Sequence, residues 1–257
     1  MKKFLAADDV HVWQCFVADW PDKDRTELLT KLSSAERTRC AAFHFEKDRA
    51  LFALSHALAR AALSLYTEIP PGDLSFELNA YGKPRLTGND ARGIQFNITH
   101  CAGYVACAVA RDEVGIDAEN IERGCDMDVA KHVYVPLELQ QLTACSAEHA
   151  CTRFFELWTL KEAYIKAQGA GMSMDLQSFW FDLSTAPVSI SFAPNVSERP
   201  RDWEFHSFQP APQLRMAVAC RSAGLGPPSS RKNVEICCGT KLLRNGAIVE
   251  AHPSPAA

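Results

Sequence analysis

Several signals that define large classes of proteins are missing from this chain. No stretch approaches the roughly 18 consecutive apolar residues that a membrane-spanning helix requires. The N-terminus begins like a signal peptide, but Asp8 and Asp9 interrupt its apolar run before that run reaches a usable length. The formal net charge is −4, so no overall basic field indicates a nucleic-acid-binding protein. These absences predict a globular protein with neither a membrane nor a nucleic acid as its partner.

The short motifs of the commonest nucleotide-binding and hydrolase families are missing as well. There is no G-x-x-x-x-G-K-[ST] loop, no G-x-G-x-x-G after a strand and no G-x-S-x-G turn. The ten cysteines include no C-x-x-C pair, and Cys101, Cys107 and Cys220 lie in apolar, strand-like runs. A reduced thiol packs in such a run as a small hydrophobic group. This pattern predicts structural thiols and a cytoplasmic protein.

The segments that are present alternate between helical and strand patterns. With 257 residues, of which 47% are hydrophobic, the chain can form one large domain or two small ones. A helical pattern runs over 33–66 and opens with a capping-box sequence at Ser33 and Glu36. Strands are predicted at 74–78, 94–99, 104–110 and 114–119, helices at about 126–145 and 152–168, and further strands at 179–183, 203–208 and 213–221.

This order of elements indicates an α+β fold made of two similar halves, each with a helix followed by a small antiparallel sheet. We expect an N-terminal half over 1–112 and a C-terminal half over 113–221. After Arg221 the composition changes to a linker that contains Gly, Pro and Ser. Residues 222–257 are therefore predicted to be a mobile appendage.

The predicted helix at 152–168 carries charges on an otherwise apolar surface. At ~100° per residue, one arc of this helix is apolar, and it contains Phe154, Leu157, Trp158, Tyr164 and Ile165. Lys161 projects from the middle of the arc, while Glu162 and Lys166 lie together on its margin. Glu162 and Lys166 are four residues apart, so an ordinary salt bridge within the helix would account for their position. Lys161 could extend its ammonium from the apolar arc to water, as a snorkelling side chain does. The alternative is that Glu162 and Lys166 bind a metal ion and a phosphate.

The strand VGIDAE at 114–119 places two carboxylates on one face. Asp117 and Glu119 point the same way, ~7 Å apart along the strand, and they repel each other unless a positive group lies between them. A hard divalent ion such as Mg²⁺ prefers oxygen ligands and substrate phosphates, and Glu162 would be a third carboxylate ligand. The alternative is a half-exposed strand whose polar face contacts only water.

Two turns and one helix offer groups that could bind an anion. Thr99 and His100 end a strand before a Gly-containing turn, where a hydroxyl, an imidazole and backbone N–H groups can reach a phosphate. The rigid turn YGKPRL at 81–86 presents Lys83. Basic side chains in or near the first helix are Arg37, Arg39 and Arg49. The ordinary alternatives are a structural histidine at a strand end and a solvated basic face.

Four motifs, taken together and in this order, resemble those of the surfactin-synthetase-activating (Sfp-type) 4′-phosphopantetheinyl transferases. They are GKP at 82–84, FNITH at 96–100, GIDAE at 115–119 and WTLKEAYIKAQGAGMS at 158–173, and the resemblance extends from about Ser33 to Arg221. It implies a pseudo-symmetric α+β fold of two similar halves and a monomer whose site forms where the halves meet. It also implies transfer of the phosphopantetheine arm of coenzyme A to a serine hydroxyl of an apo acyl or peptidyl carrier protein, with release of adenosine 3′,5′-bisphosphate.

The same resemblance implies a role for each candidate residue. Mg²⁺, or Mn²⁺ in its place, would be held by Asp117, Glu119 and Glu162. Glu162, or a water on the metal, would take the serine proton, and Lys166 would contact the transferred phosphate or protonate the leaving one. The coenzyme A phosphates would be contacted by Lys83, Thr99 and His100, with Pro84 near the adenine and Arg37, Arg39 and Arg49 as further basic contacts.

One further glutamate and three rival interpretations remain open at this stage. Glu138 stands 24 residues before Glu162, the spacing at which these transferases often have another active-site glutamate, but the usual aromatic-rich lead-in is missing. The first rival is a non-catalytic module of the same fold that binds coenzyme A or a carrier protein; the presence of all three carboxylates argues against it. The others are an Mg²⁺-dependent phosphohydrolase and a structural protein whose charged helix surface is only a salt-bridge network.

Overall fold

The computed structural model describes residues 3–21, 24–88, 93–222 and 231–245. In chain order, the strands are β1 (Asp9–Phe16), β2 (Phe76–Leu78), β3 (Pro84–Leu86), β4 (Gln95–Cys101), β5 (Tyr104–Ala110), β6 (Val114–Asn120), β7 (Phe179–Asp182), β8 (Ser189–Phe192), β9 (Trp203–Phe208), β10 (Leu214–Arg221) and β11 (Asn233–Cys238). The helices are α1 (Arg25–Lys31), α2 (Ser34–Ala41), α3 (Glu46–Thr67), α4 (Met127–Val133), α5 (Pro136–Thr143), α6 (Ala147–Gln168) and α7 (Gly239–Asn245). The predicted α+β fold is confirmed.

The described residues form two compact units. Unit 1 contains the residues up to Ala80, those of Pro84–Arg111 and those from Asn233 onward, and unit 2 contains Tyr81–Lys83 and Asp112–Lys232. Each unit packs one helix of 22 residues, α3 or α6, against a small sheet. The predicted halves, 1–112 and 113–221, differ from these units in three places: Tyr81–Lys83 and Asp112 belong to unit 2, and the described residues beyond Arg221 are divided between the two units after Lys232.

The sheet of unit 1 has the strand order β11-β1-β5-β4. β1, β5 and β4 pair antiparallel, and all seven residues of β5 are buried because this strand lies inside the sheet under α3. The predicted helix at 33–66 is in fact two helices, α2 and α3. The capping box predicted at Ser33 and Glu36 is present at the start of α2, but the extended backbone of Phe45 before α3 is marked by neither Gly nor Pro.

The structure differs from the predicted appendage at the C-terminus. β11 pairs in parallel with β1, so that Val12 lies opposite Ile236, and Leu242 and Leu243 of α7 are buried in the core of unit 1. A Cβ atom on Gly239 would lie only 2.6 Å from the Cys15 sulfur, so glycine permits the close turn between β11 and α7. Composition could not reveal this segment, because its pairing partner is more than two hundred residues away. Residues 223–230 and 246–257 of the predicted appendage lie outside the described residues.

Unit 2 contains the elements that hold the candidate carboxylates. Its three-stranded antiparallel sheet has the order β6-β10-β9, and α6 packs on β6 and β10. The helix predicted at 126–145 is interrupted, and α5 begins at Pro136, whose ring disfavours a helical conformation in the residue before it. α6 begins five residues earlier than predicted and ends at Gly169, which has a φ of 66°. No helix in the described parts of the chain is both long and apolar enough to span a membrane.

A glycine in β6 allows the strand and α6 to touch. A Cβ atom at Gly115 would lie 2.0 Å from the Ala163 carbonyl oxygen and 2.3 Å from the Ala167 backbone nitrogen. Both partners are backbone atoms of α6, so neither can move aside as a flexible side chain would. Gly115 therefore brings the carboxylate-bearing strand directly against the helix that carries Glu162 and Lys166.

Gly115→Ala is expected to lower the free energy of unfolding by about 3 kcal/mol, because an added methyl group overpacks this contact. Urea denaturation measures the change. Gly72→Ala is the matched control, since the nearest atom to its Cβ would be the Thr30 carbonyl oxygen at 4.0 Å. Equal stability of the two variants would show that β6 and α6 can separate without cost.

Candidate active site

Three carboxylates of unit 2 lie on β6 and α6. Asp117 and Glu119 alternate with buried apolar residues of β6, and Glu162 lies on α6. Asp117 is 6% exposed, whereas Glu119 and Glu162 are half-buried. All three side chains are therefore partly withdrawn from water, where a carboxylate is costly to bury unless a cation or hydrogen-bond donors face it.

The electrostatics show that these carboxylates affect one another. Burial raises the pKa of Glu119, and the negative charge of Asp117 raises it further, while Arg123, Lys166 and a hydrogen bond from Trp158 act in the opposite direction. Burial also raises the pKa of Glu162, again with a further increase from Asp117 and an opposing effect of Lys166. The arrangement concentrates negative charge in a poorly solvated place, as binding of a cation requires.

The raised pKa values predict a pH dependence of stability in the metal-free protein. Between the ordinary carboxyl pKa and the raised values, the folded state holds more protons than the unfolded chain, so the free energy of unfolding falls as pH rises through this window. Urea midpoints measured in EDTA across the window should therefore decrease less in a Glu119→Gln/Glu162→Gln variant than in the parent protein. An identical pH slope for both proteins would contradict the shared electrostatic environment.

Lys166 brings a positive charge to the group formed by the carboxylates of Asp117, Glu119 and Glu162 through its ion pair with Asp117. Its Nζ lies 2.6 Å from Oδ1 of Asp117, whose side chain is 8% exposed, while the Lys166 side chain is 29% exposed. The pair joins α6 to β6 and is not the salt bridge with Glu162 that the helix spacing suggests.

The donor chemistry of the group fits Mg²⁺, which prefers carboxylate oxygens. Within the described residues, however, no group of three or more His, Cys, Asp and Glu side chains is arranged as a ready metal site. Lys166 takes the place of a cation on Asp117. A carboxylate has two oxygens, so the contact of Lys166 with Oδ1 does not by itself prevent Asp117 from being a metal ligand. The three ligands stay a prediction.

Lys161 and Glu138 form a buried ion pair instead of an active-site contact. Their charged atoms are 3.0 Å apart, and neither side chain has any exposed surface. Lys161 also donates to the carbonyls of Leu176 and Phe179, at 2.8 and 2.7 Å. Burial acts to raise the pKa of Glu138 and to lower that of Lys161, while their mutual attraction opposes both shifts. The roles of Glu138 and Lys161 were open in the sequence analysis, and the structure shows that the two residues form an ion pair with each other.

Glu138 is held equally firmly by its backbone partners. It accepts hydrogen bonds from the N–H groups of Phe181, at 3.0 Å, and of Val135, at 3.1 Å. It therefore connects the start of α5 to β7 and, through Lys161, to α6. No solvent-facing oxygen remains on Glu138 for a substrate.

Lys83 makes backbone contacts that the sequence did not predict. Its Nζ donates to the carbonyls of Val114, at 3.1 Å, and of Ala167, at 2.8 Å. Burial lowers the pKa of Lys83 to about 8, against a smaller opposing effect of Glu113. The contact with a phosphate of coenzyme A that the resemblance implies for Lys83 stays a prediction.

The remaining candidates for coenzyme A binding belong to unit 1. Thr99 is buried and His100 is exposed, as expected for consecutive residues of β4. Pro84 is half-buried at the start of β3.

The three arginines are also placed in unit 1. Arg37 is exposed and donates to the Leu32 carbonyl at 2.5 Å. The guanidinium of Arg39 lies 5.6 Å from the centre of the Phe52 ring. Arg49 donates to the Phe43 carbonyl at 3.1 Å. Each arginine thus has a contact within the fold near α2 or α3, and its role in binding coenzyme A stays a prediction.

Sequence reasoning overlooked two residues beside Glu119. The Arg123 guanidinium lies 3.3 Å from a Glu119 oxygen and 5.0 Å from the centre of the Phe155 ring. Trp158 of α6 contributes the hydrogen bond that opposes the pKa increase of Glu119. Arg123 follows Glu119 by four residues, a spacing that could have indicated it, whereas Trp158 was assigned only to the apolar arc.

Comparison with known proteins identifies the family to which this arrangement belongs. The chain matches the family model of the 4′-phosphopantetheinyl transferase superfamily over residues 113–219 and that of the N-terminal part of 4′-phosphopantetheinyl transferase over 13–112. The 4′-phosphopantetheinyl transferase HetI of Nostoc sp. is 31% identical over 227 residues, which are 87% of this chain and 92% of that protein. The 4′-phosphopantetheinyl transferase psf-1 of Bacillus pumilus is 31% identical and covers 86% of this chain and 90% of its own.

The two family models together match most of the chain, and both describe a transferase. The chain belongs to the 4′-phosphopantetheinyl transferase superfamily. The resemblance inferred from the four motifs is thus confirmed, and the protein is a transferase of 4′-phosphopantetheine.

Proposed function

We propose that this enzyme takes the 4′-phosphopantetheine arm from coenzyme A and transfers it to a serine hydroxyl of an apo acyl or peptidyl carrier protein. The observation that supports this most directly is the group formed by Asp117, Glu119, Glu162 and Lys166, in which Lys166 lies 2.6 Å from Asp117 and both glutamates have raised pKa values. The serine oxygen forms a bond to the β-phosphorus of coenzyme A, the phosphorus that carries the pantetheine arm. At the same time, the bond between this phosphorus and the oxygen that bridges the two phosphates breaks. Adenosine 3′,5′-bisphosphate leaves.

Asp117, Glu119 and Glu162 are proposed to hold Mg²⁺, with Mn²⁺ as a substitute. When bound, the ion would neutralise charge on the pyrophosphate and help to orient it. The carboxylates supply hard oxygen ligands, and their crowding is relieved by a cation, which accounts for their position in a half-buried place.

Glu162 is proposed to accept the proton of the attacking serine. In the metal-free protein, burial and the charge of Asp117 raise the pKa of Glu162, and a general base works best when its pKa approaches the working pH. Lys166 is proposed to move from Asp117 to the phosphate and to donate a proton to the leaving group. The remaining catalysis is positioning and charge neutralisation, as in other phosphoryl-type transfers.

Further residues are proposed to contact the rest of coenzyme A. The proposed residues are Thr99 and His100 for phosphate, Pro84 for the adenine, and Arg37, Arg39 and Arg49 as basic contacts. Lys83 was expected to join the phosphate contacts, but its ammonium is bound by two backbone carbonyls. A monomeric, cytoplasmic enzyme is proposed as well, in agreement with ten cysteines that are all free thiols.

The decisive experiment is the intact mass of an apo acyl carrier protein after incubation with this enzyme, coenzyme A and Mg²⁺. We expect the carrier to gain the mass of one phosphopantetheine arm. The gain should disappear in EDTA and in a carrier whose acceptor serine is replaced by alanine. Retention of the gain in EDTA would contradict the metal-dependent mechanism.

A non-catalytic module that binds coenzyme A or a carrier protein is the alternative function. It predicts that coenzyme A binds, for example in a calorimetric titration, while no carrier gains mass. A phosphohydrolase would instead cleave coenzyme A without any carrier, which the same reaction mixture reveals by its products.

A further inference from the structure

We infer that Lys83 is a positioning residue, whose ammonium group ties the start of β6 to the last turn of α6 and so holds the proposed catalytic carboxylates in register. The inference deepens the proposed function and rests on it, because it concerns the elements that carry Asp117, Glu119 and Glu162. It differs from the phosphate contact that the sequence motif implies for this lysine.

The turn that presents Lys83 is part of unit 2. Tyr81–Lys83 belong to this unit although the residues before and after them belong to unit 1. Tyr81 packs closely on Gly171, where an added Cβ would lie 3.3 Å from the Tyr81 Cβ and where the φ angle is 57°. Lys83 is therefore presented to β6 and α6 by a turn that is anchored within the same unit.

The two carbonyls that Lys83 binds are ones that secondary structure leaves unmatched. Ala167 is in the last turn of α6, where carbonyls have no partner within the helix and attract a positive charge. β6 is at the edge of its sheet. The Glu113 carbonyl accepts a hydrogen bond from Arg221 of the neighbouring β10, so the next carbonyl, that of Val114, points away from β10 and towards Lys83.

The lysine bridges the place where the strand and the helix already touch. Gly115, next to Val114, is the point of closest approach to Ala163 and Ala167. Two residues beyond Gly115 is Asp117, and one residue before Ala167 is Lys166, which form the 2.6 Å ion pair of the site. A shift of β6 along α6 would break the two hydrogen bonds of Lys83 and this ion pair together.

The environment of Lys83 agrees with a structural contact. Its amino group is buried enough that desolvation is the main influence on its pKa, which falls to about 8. A lysine whose role is to bind a phosphate from solution would be exposed to water, and its pKa would then be close to the much higher ordinary value. The hydrogen bonds of 2.8 and 3.1 Å to backbone carbonyls replace that water.

Lys83→Met, which keeps most of the length of the side chain and removes the ammonium, tests this inference. We expect faster amide hydrogen exchange in peptides that cover β6 and the end of α6, and a kcat about tenfold lower because the carboxylates lose register. The Kd of coenzyme A, measured by calorimetry, should stay within about twofold of the parent value because no phosphate contact is lost. Lys131→Met is the matched control, since Lys131 is an exposed lysine of the same unit.

Lys83→Arg separates the two roles and replaces the methionine variant if that variant fails to fold. An arginine can bind phosphate but cannot place a compact ammonium between two carbonyls, so the positioning role predicts that it does not restore slow exchange or kcat. A coenzyme A Kd that rises about tenfold in Lys83→Met, with unchanged exchange and rescue by Lys83→Arg, would overturn the inference. If the parent protein transfers nothing to any carrier, the proposed function fails, yet the exchange measurement still tests the tie between β6 and α6.

Discussion

Glu162→Gln is expected to abolish transfer to a carrier protein and to leave the fold intact. The substitution keeps the shape of the side chain but removes both a proposed metal ligand and the proposed base. Loss of a general base alone costs about 100-fold or more in rate. The charge that is lost lies beside Asp117 and raises electrostatic repulsion in the parent protein, so its removal should not destabilise the metal-free fold.

The measurement is the initial rate of mass gain on an apo carrier protein, together with thermal unfolding followed by circular dichroism. Glu148→Gln is the matched control, because Glu148 is an exposed residue at the other end of the same helix. Undiminished transfer by the Glu162→Gln variant would disprove its assignment. A variant that unfolds at a much lower temperature would show instead that Glu162 has a structural role.

Glu138→Gln is expected to cost about 3–5 kcal/mol of stability, because it leaves the Lys161 ammonium buried without a counter-charge. Both side chains are wholly buried at a separation of 3.0 Å, so no water can replace the lost carboxylate. Urea denaturation at neutral pH measures the loss. Under conditions where the variant is folded, its transfer rate should be close to that of the parent, since the polar partners that the structure gives Glu138 are Lys161 and backbone groups.

Two control variants show whether the charge itself is responsible. Glu138→Leu combined with Lys161→Met removes both charges at similar volume and should recover much of the stability, although the N–H groups of Phe181 and Val135 lose their acceptor. Asp128→Asn breaks an exposed pair with Lys131 and should cause no measurable change. A small effect of Glu138→Gln, or loss of transfer in the folded variant, would contradict the structural role.

The elements that hold the carboxylates could be predicted because their patterns are local. The alternation of VGIDAE defines a strand with Asp117 and Glu119 on one face, and this strand is present as β6. The apolar arc of the helix around ELWTLKEAYIKA is buried in α6, as the helical period indicates. Four ordered motifs were sufficient to identify the family, because each motif lies in a single turn or strand, or in a helix and the turn after it, and can be recognised from neighbouring residues alone.

Contacts between distant segments could not be predicted in the same way. β11 pairs with β1 across almost the whole chain, and the composition that suggested an appendage contains no information about that partner. The pairing of Lys161 with Glu138 depends on how α5 lies against α6. From the sequence alone, Lys161 could equally have been a snorkelling residue. A helical pattern predicts the face on which a side chain lies, but it does not predict which residue of another element that side chain contacts.

By itself, the sequence determined the family, the α+β class and the residues that present acids and ammonium groups on β6 and α6. These properties follow from periodicity and from motifs, which act over a few residues. Only the tertiary structure decided what each lysine contacts: Lys161 a buried glutamate, Lys166 the carboxylate of Asp117, and Lys83 two backbone carbonyls. An ammonium group binds a phosphate, a carboxylate or a carbonyl with the same donors, so the choice among them depends on which acceptor the packed chain brings within hydrogen-bonding distance.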